Sequence, residues 1–148
     1  MNGPGPRCGA HTLSEGPAEL GAEIESRLLL ALRSSLPQGP NTGFVFAAHG
    51  NEGALTGGLV ASTSYGWLLT KCLWVHETHR GQGLGRALMA QAEDKARRVG
   101  CHAAWLDTSS PAARVFYEKL GYEAFGELAN RADQALPNHR RWFLRKDL

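Results

Sequence analysis

Apolar residues recur at two periods along this chain, and the alternation of those periods predicts its elements. Leu20, Ile24, Leu28 and Leu32 fall every fourth position, which predicts a helix over Glu19–Leu36 that Pro37 closes. Phe44–Ala48, Leu55–Thr63 and Gly66–Val75 read as consecutive strands, the last two joined by a turn at Ser64-Tyr65-Gly66, so they form a meander. From Gln82 the helical period returns: Leu84, Ala87, Leu88, Ala92, Ala96 and Val99 make one apolar face, and Gly100 ends the segment. On its polar side Glu93 with Arg97 and Asp94 with Arg98 are spaced as i, i+4 ion pairs facing water. His102–Thr108 is the next strand, parallel to the preceding one if the crossover has the usual right hand.

A short helix follows, with Ser110 as cap, Pro111 at the first helical position and Gly121 suited to the left-handed residue after its end. Tyr122–Leu128 and Trp142–Lys146 read as the final strands, with a polar, proline-interrupted stretch, Ala129–His139, between them. Trp105, Trp142 and Phe143 near these strands are read as core rather than as a dimer surface. Together the elements predict an α/β protein with a central mixed sheet and helices on both faces.

Composition bounds the rest. At 148 residues, 43% hydrophobic and 20% charged, residues 13–148 suit a single domain after a flexible, Gly/Pro-rich segment at 1–12. A net charge of +2 is too mild to argue for nucleic acid, and no Lys/Arg stripe is interleaved with aromatics. Cys8, Cys72 and Cys101 follow no metal or disulfide spacing, so neither a metal nor an oxidising compartment is expected; a reducing cytoplasm fits. Met1–Pro6 lacks the pattern of a signal peptide, and no apolar stretch approaches the ~20 residues that span a bilayer.

The chemistry centres on His79-Arg80-Gly81-Gln82-Gly83-Leu84-Gly85-Arg86, which joins a strand to a helix start. Backbone N–H groups at a helix start have no intrahelical acceptor, the helix dipole adds about half a positive charge there, and glycines admit a phosphate to the backbone. The spacing is not that of a dinucleotide loop, whose last glycine position is Arg86, nor of a P-loop, which needs Gly-Lys-Ser/Thr. What remains, Arg80-x-x-Gly83-x-Gly85, resembles the acyl-CoA pyrophosphate loop of the GNAT superfamily of N-acetyltransferases. Ser109 to Tyr122, with Phe116-Tyr117-Glu118-Lys119-Leu120-Gly121-Tyr122, resembles the same family's tyrosine-bearing helix; taken alone, Tyr117 reads rather as a core aromatic on the face of Ala113, Phe116 and Leu120, and the glycine loop at the expected separation and order reverses that preference. The resemblance covers Gly58 to Leu148 and is closest to small stand-alone bacterial members.

The resemblance implies a GNAT fold whose two parallel strands splay apart around acetyl-CoA. It implies that the backbone of Leu73 and Val75 pairs with the pantetheine arm, as a strand edge pairs with any extended amide chain. Arg80, Gly81, Gln82, Gly83, Leu84, Gly85 and Arg86 would hold the pyrophosphate, mostly through main-chain N–H groups. The implied reaction is direct attack by a primary amine on the thioester, through a tetrahedral intermediate stabilised by a strand N–H. Tyr117 would serve the departing thiolate, although full proton transfer from a phenol to a thiolate is uphill by about 2 kcal/mol. Freeing an alkylamine of its proton at pH 7 costs about 4 to 5 kcal/mol, so a base is expected. Relatives carry Glu or His on the strand before the loop and this chain does not; Asp107 is the candidate, with a capping role as its alternative.

Ser110 also departs from the asparagine common in relatives, which puts a side-chain contact to the cofactor in doubt. Ala129–His139 is read as a wall of the acceptor site or as a mere connector. The partners implied are acetyl-CoA and a small-molecule amine, with a homodimer by analogy to relatives. The competing functions are a non-catalytic acyl-CoA-binding or sensing module and an acetyltransferase acting on protein N-termini or lysines.

Overall fold

The computed structural model describes residues 5–39 and 41–148. They fall into two compact units, one ending at Pro37 and one running from Gln38 to Leu148. In the first, strands β1 (Arg7–Cys8) and β2 (His11–Thr12) pair antiparallel around Gly9, whose φ is +60°. These residues belong to the segment expected to be flexible; residues 1–4 of that segment lie outside the described residues. Helix α1 (Leu20–Ser35) forms where its four-residue period places it, and none of its residues is buried.

The second unit is built on a six-stranded sheet. Its strands are β3 (Gly43–His49), β4 (Leu55–Ser64), β5 (Trp67–Val75), β6 (Ala103–Thr108), β7 (Glu123–Ala129) and β8 (Arg140–Asp147), in the order β3-β4-β5-β6-β8-β7. Only β5 and β6 run parallel, joined by α2 (Leu84–Arg98); α3 (Pro111–Lys119) follows β6. The element boundaries agree with the sequence pattern to within about two residues, as expected where period, caps and turn residues concur.

One departure from regular pairing matters for the site. Between β4 and β5 the register shifts, with Ala61 opposite Thr70 but Val60 opposite Cys72, so Lys71 is an extra, bulged residue. A bulge bends its strand. At this point the β5–β6 ladder ends: its last partners are Leu69 and Trp105, while β6 stays paired with β8 as far as Thr108 opposite Trp142. Beyond Leu69 the two parallel strands therefore separate, and β5 keeps an unpaired edge on that side.

The core lies between the sheet and α2. Leu59, Ala61, Leu68, Ala104, Leu106 and Leu144 of the strands meet Leu88, Met89, Ala92 and Ala96, and Tyr117 and Trp142 join the same cluster. Among the described residues no helix is long and apolar enough to cross a membrane.

The expectation for Glu93 is corrected here. Its residue is 5% exposed, not solvated, because 89, 92, 93 and 96 share one helix face. Its carboxylate accepts from the Tyr122 hydroxyl at 3.1 Å and from Lys146 Nζ at 2.8 Å, while Arg97, one turn on, stands at 3.7 Å. Arg97 instead pairs closely with Asp94 at 2.8 Å.

Candidate active site

The loop after β5 is shaped by short-range contacts. His76 caps a single 3-10 turn, Glu77–His79, its Nδ1 accepting from the Thr78 N–H at 3.3 Å. Arg80 Nε donates to the Val75 carbonyl at 3.0 Å, folding the loop back over the strand end, and Gln82 Nε2 donates to the Thr78 carbonyl at 3.3 Å. Gly81 and Gly83 have φ of +74° and +83°, where a side chain is strained. Gly83 is the N-cap residue of α2 and has no side chain to cap it, so Leu84, Gly85 and Arg86 present N–H groups that have no acceptor one turn earlier. A Cβ at Gly81 or Gly83 would meet nothing within 4 Å, so the space above the loop is open. At Gly85 it would come within 3.3 Å of Phe116 Cζ, which shows how closely the helix start approaches α3.

That space is a cleft of about 790 Å³. The end of β5 contributes Leu73 and Val75, and the loop contributes Arg80, Gly81, Gly83, Leu84, Gly85 and Arg86. Of the residues expected to contact the cofactor, Gln82 alone does not line it, its amide being turned to Thr78.

The opposite wall is α3. Ser110 Oγ accepts from the Ala113 N–H at 3.2 Å, Pro111 opens the helix and Gly121, with φ of +93°, follows its end. Tyr117 is 8% exposed and lines the cleft, with its ring 5.1 Å from Phe116 and 5.9 Å from Tyr122. Its hydroxyl makes no hydrogen bond to the protein among the described residues. Burial, followed by repulsion from the nearby Cys72 sulfur when that ionises, raises the phenol above its ordinary value, so Tyr117 is held as a neutral donor. Core aromatic and cleft residue thus describe the same side chain.

Asp107 lies elsewhere. Its Oδ2 takes Arg141 Nε at 2.6 Å and Nη2 at 2.5 Å, and it does not line the cleft. Strand alternation explains this, since the neighbouring Leu106 points into the core and Asp107 therefore points to the other face of the sheet. Ser109 Oγ and His139 Nε2, 3.3 Å apart, tie the β7–β8 loop to the end of β6.

The cleft also has walls that sequence reasoning did not assign. Trp74 and His79 flank the loop, and Lys119 closes the far end with Leu120. Lys119 could have been found from the helical period, because 116, 119 and 120 share a face. Cys72 is exposed, whereas Cys101 is buried with its thiol pushed up by desolvation, as for an inert core cysteine. No group of three His, Cys, Asp or Glu residues among those described is placed to hold a metal.

Fold and cleft together define a mixed α/β protein in which a glycine-gated helix start opens onto two diverging parallel strands. Residues 40–124 match the family model described as an acetyltransferase (GNAT) domain. The chain belongs to the GNAT acetyltransferase family. It is 44% identical over 78 residues to an acetyltransferase of Agrobacterium fabrum, covering 53% of this chain and 57% of that protein. It is 42% identical over 76 residues to the blasticidin-S acetyltransferase of Streptomyces morookaense, covering 51% of this chain and 56% of that protein. The chain thus spans little more than half the length of these curated relatives. A crystal structure of an Agrobacterium tumefaciens protein described as an acetyltransferase superposes with a TM-score of 0.80 at 31% identity, over 92% of this chain and 97% of the other.

Proposed function

We propose that this protein transfers an acetyl group from acetyl-CoA to a primary amine of a small molecule. The observation that carries the reading is one continuous cleft joining the glycine loop, the end of β5 and the Tyr117 ring. The diphosphate sits on the N–H groups at the start of α2, favoured by the helix dipole. The pantetheine amides pair with the edge of β5 that becomes free where the β6 ladder ends, at Leu73 and Val75. The thioester then lies between the diverging strands.

The amine nitrogen attacks the carbonyl carbon, the C–N bond forms, and the negative charge on oxygen is met by a strand N–H. The C–S bond breaks as the intermediate collapses. Tyr117 donates its hydroxyl hydrogen to the departing thiolate; because its phenol is raised further above that thiol, hydrogen-bond stabilisation rather than complete proton transfer is its contribution. Asp107, whose carboxylate is held by Arg141 on the other face of the sheet and does not line this cleft, is not placed to take the amine's proton, which passes to solvent.

A small-molecule acceptor agrees with the blasticidin-S acetyltransferase among the relatives. The three free cysteines agree with work in a reducing cytoplasm. Following thiol release from acetyl-CoA with a panel of small amines, N-terminal peptides and lysine peptides tests the reading. Amine-dependent release, fastest with small amines, is expected. Binding of CoA without release in any arm would assign the protein to non-catalytic acyl-CoA binding instead, and release with peptides only would make it a protein acetyltransferase.

A further inference from the structure

We infer that the protein forms a symmetric dimer in which α1 of each copy covers the open face of the other copy's sheet. The inference is independent of the reaction proposed above.

Strand alternation gives the sheet two faces of different fate. Leu59, Leu68, Leu106 and Leu144 point to the face where α2 and Tyr117 of α3 complete the core cluster. The alternate positions point the other way: Val45 beside Val60, Leu69 beside Trp105, and Phe143 near Phe125 with the rings 6.3 Å apart. None of these six belongs to the core cluster, although Trp142, the neighbour of Phe143, does. Trp105 and Phe143, read as core from the sequence, therefore stand on this second face and are partly exposed, because their strand parity is opposite to that of Leu106 and Leu144. Val45 is 65% exposed and Phe125 59%. An apolar surface of this extent marks an interaction site.

The chain carries a matching surface of its own. Leu20, Ile24 and Leu28 form one stripe of α1, are 42%, 65% and 57% exposed, and belong to a helix with no buried residue. From Val45 to Trp105 the patch crosses four strands, or about 14 Å, and a helix with its side chains is about 10 to 12 Å across, so one helix fits it. A helix from an unrelated protein would cover the sheet and leave α1 bare. Two copies that exchange helices about a two-fold axis cover both surfaces on both chains. At roughly 100 Å² for each of about four apolar side chains on each surface, the two contacts bury about 1,600 Å², the size of a stable dimer interface.

Light scattering during size-exclusion chromatography of the full chain tests this, and the expected mass at micromolar concentration is twice the 16.0 kDa of one chain. Ile24→Glu on the helix and Val45→Glu on the sheet each put a charge into the contact and should weaken dimerisation by about thirtyfold or more. Both side chains are 65% exposed in the single chain, so circular dichroism should show each fold unchanged. Ile24→Gln and Val45→Thr, which should weaken the dimer several-fold, serve if a Glu variant does not fold. Mixing the two Glu variants should restore part of the dimer, since one intact helix then meets one intact face. A monomeric unmodified protein overturns the inference. So does a dimer that either substitution leaves intact, or a mixture no more dimeric than its components.

Discussion

Replacing Lys146 by Met should destabilise the protein more than replacing its partner Glu93 by Leu, although both changes break the same ion pair. The Glu93 side chain is 7% exposed and that of Lys146 is 23% exposed, so loss of the ammonium strands a carboxylate that water cannot readily reach. Breaking a buried pair in this way typically costs about 3 to 5 kcal/mol; the Tyr122 hydroxyl and the guanidinium of Arg97 remain near Glu93, which lowers the expectation to about 2 to 3 kcal/mol. In Glu93→Leu the ammonium can rehydrate through the small cavity that Lys146 lines, and the main loss is the acceptor for Tyr122, about 1 to 2 kcal/mol. The double variant puts apolar groups on both sides and should cost only about 1 kcal/mol, so the two changes couple by about 2 to 4 kcal/mol. Urea titration followed by tryptophan fluorescence measures this, with midpoints shifting at constant slope. A Lys146→Met cost no larger than that of Glu93→Leu, or costs that simply add in the double variant, refutes the claim that this carboxylate depends on its partners.

Two further substitutions address the cleft. Gly83→Val forces a branched residue into a φ of +83° and sends its side chain into the open space above the loop, so CoA affinity should fall by more than about tenfold; unchanged affinity by calorimetry would sink the loop assignment. Tyr117→Phe keeps the ring packed between Phe116 and Tyr122 but removes the donor, so turnover should drop about tenfold or more with KM for acetyl-CoA within about twofold. Equal turnover in the two proteins would remove Tyr117 from the reaction.

The cleft's two main walls are legible in the sequence because each is held by contacts within a few residues. Gly81 and Gly83 take positive φ, Arg80 reaches back five residues to Val75, and Ser110 with Pro111 starts the Tyr117 helix by capping its own first turn. Such preferences are backbone sterics and local hydrogen bonds, which residue order alone expresses. Gln82 shows the limit even here, since which way an amide turns is decided by whichever carbonyl lies nearest.

What residue order by itself determined is therefore the run of strands and helices, the anion-binding loop and the place of the tyrosine. Only the tertiary structure decided that Glu93 is buried, by bringing up Tyr122 and Lys146 from 29 and 53 residues away. It alone paired Asp107 with Arg141, 34 residues on, and gathered Arg86, Lys119 and Lys146 around one cavity. The physical reason is that dihedral preference belongs to a residue and its neighbours. Whether a charge is hydrated, paired or left open to a ligand depends on groups that approach only when the chain has folded.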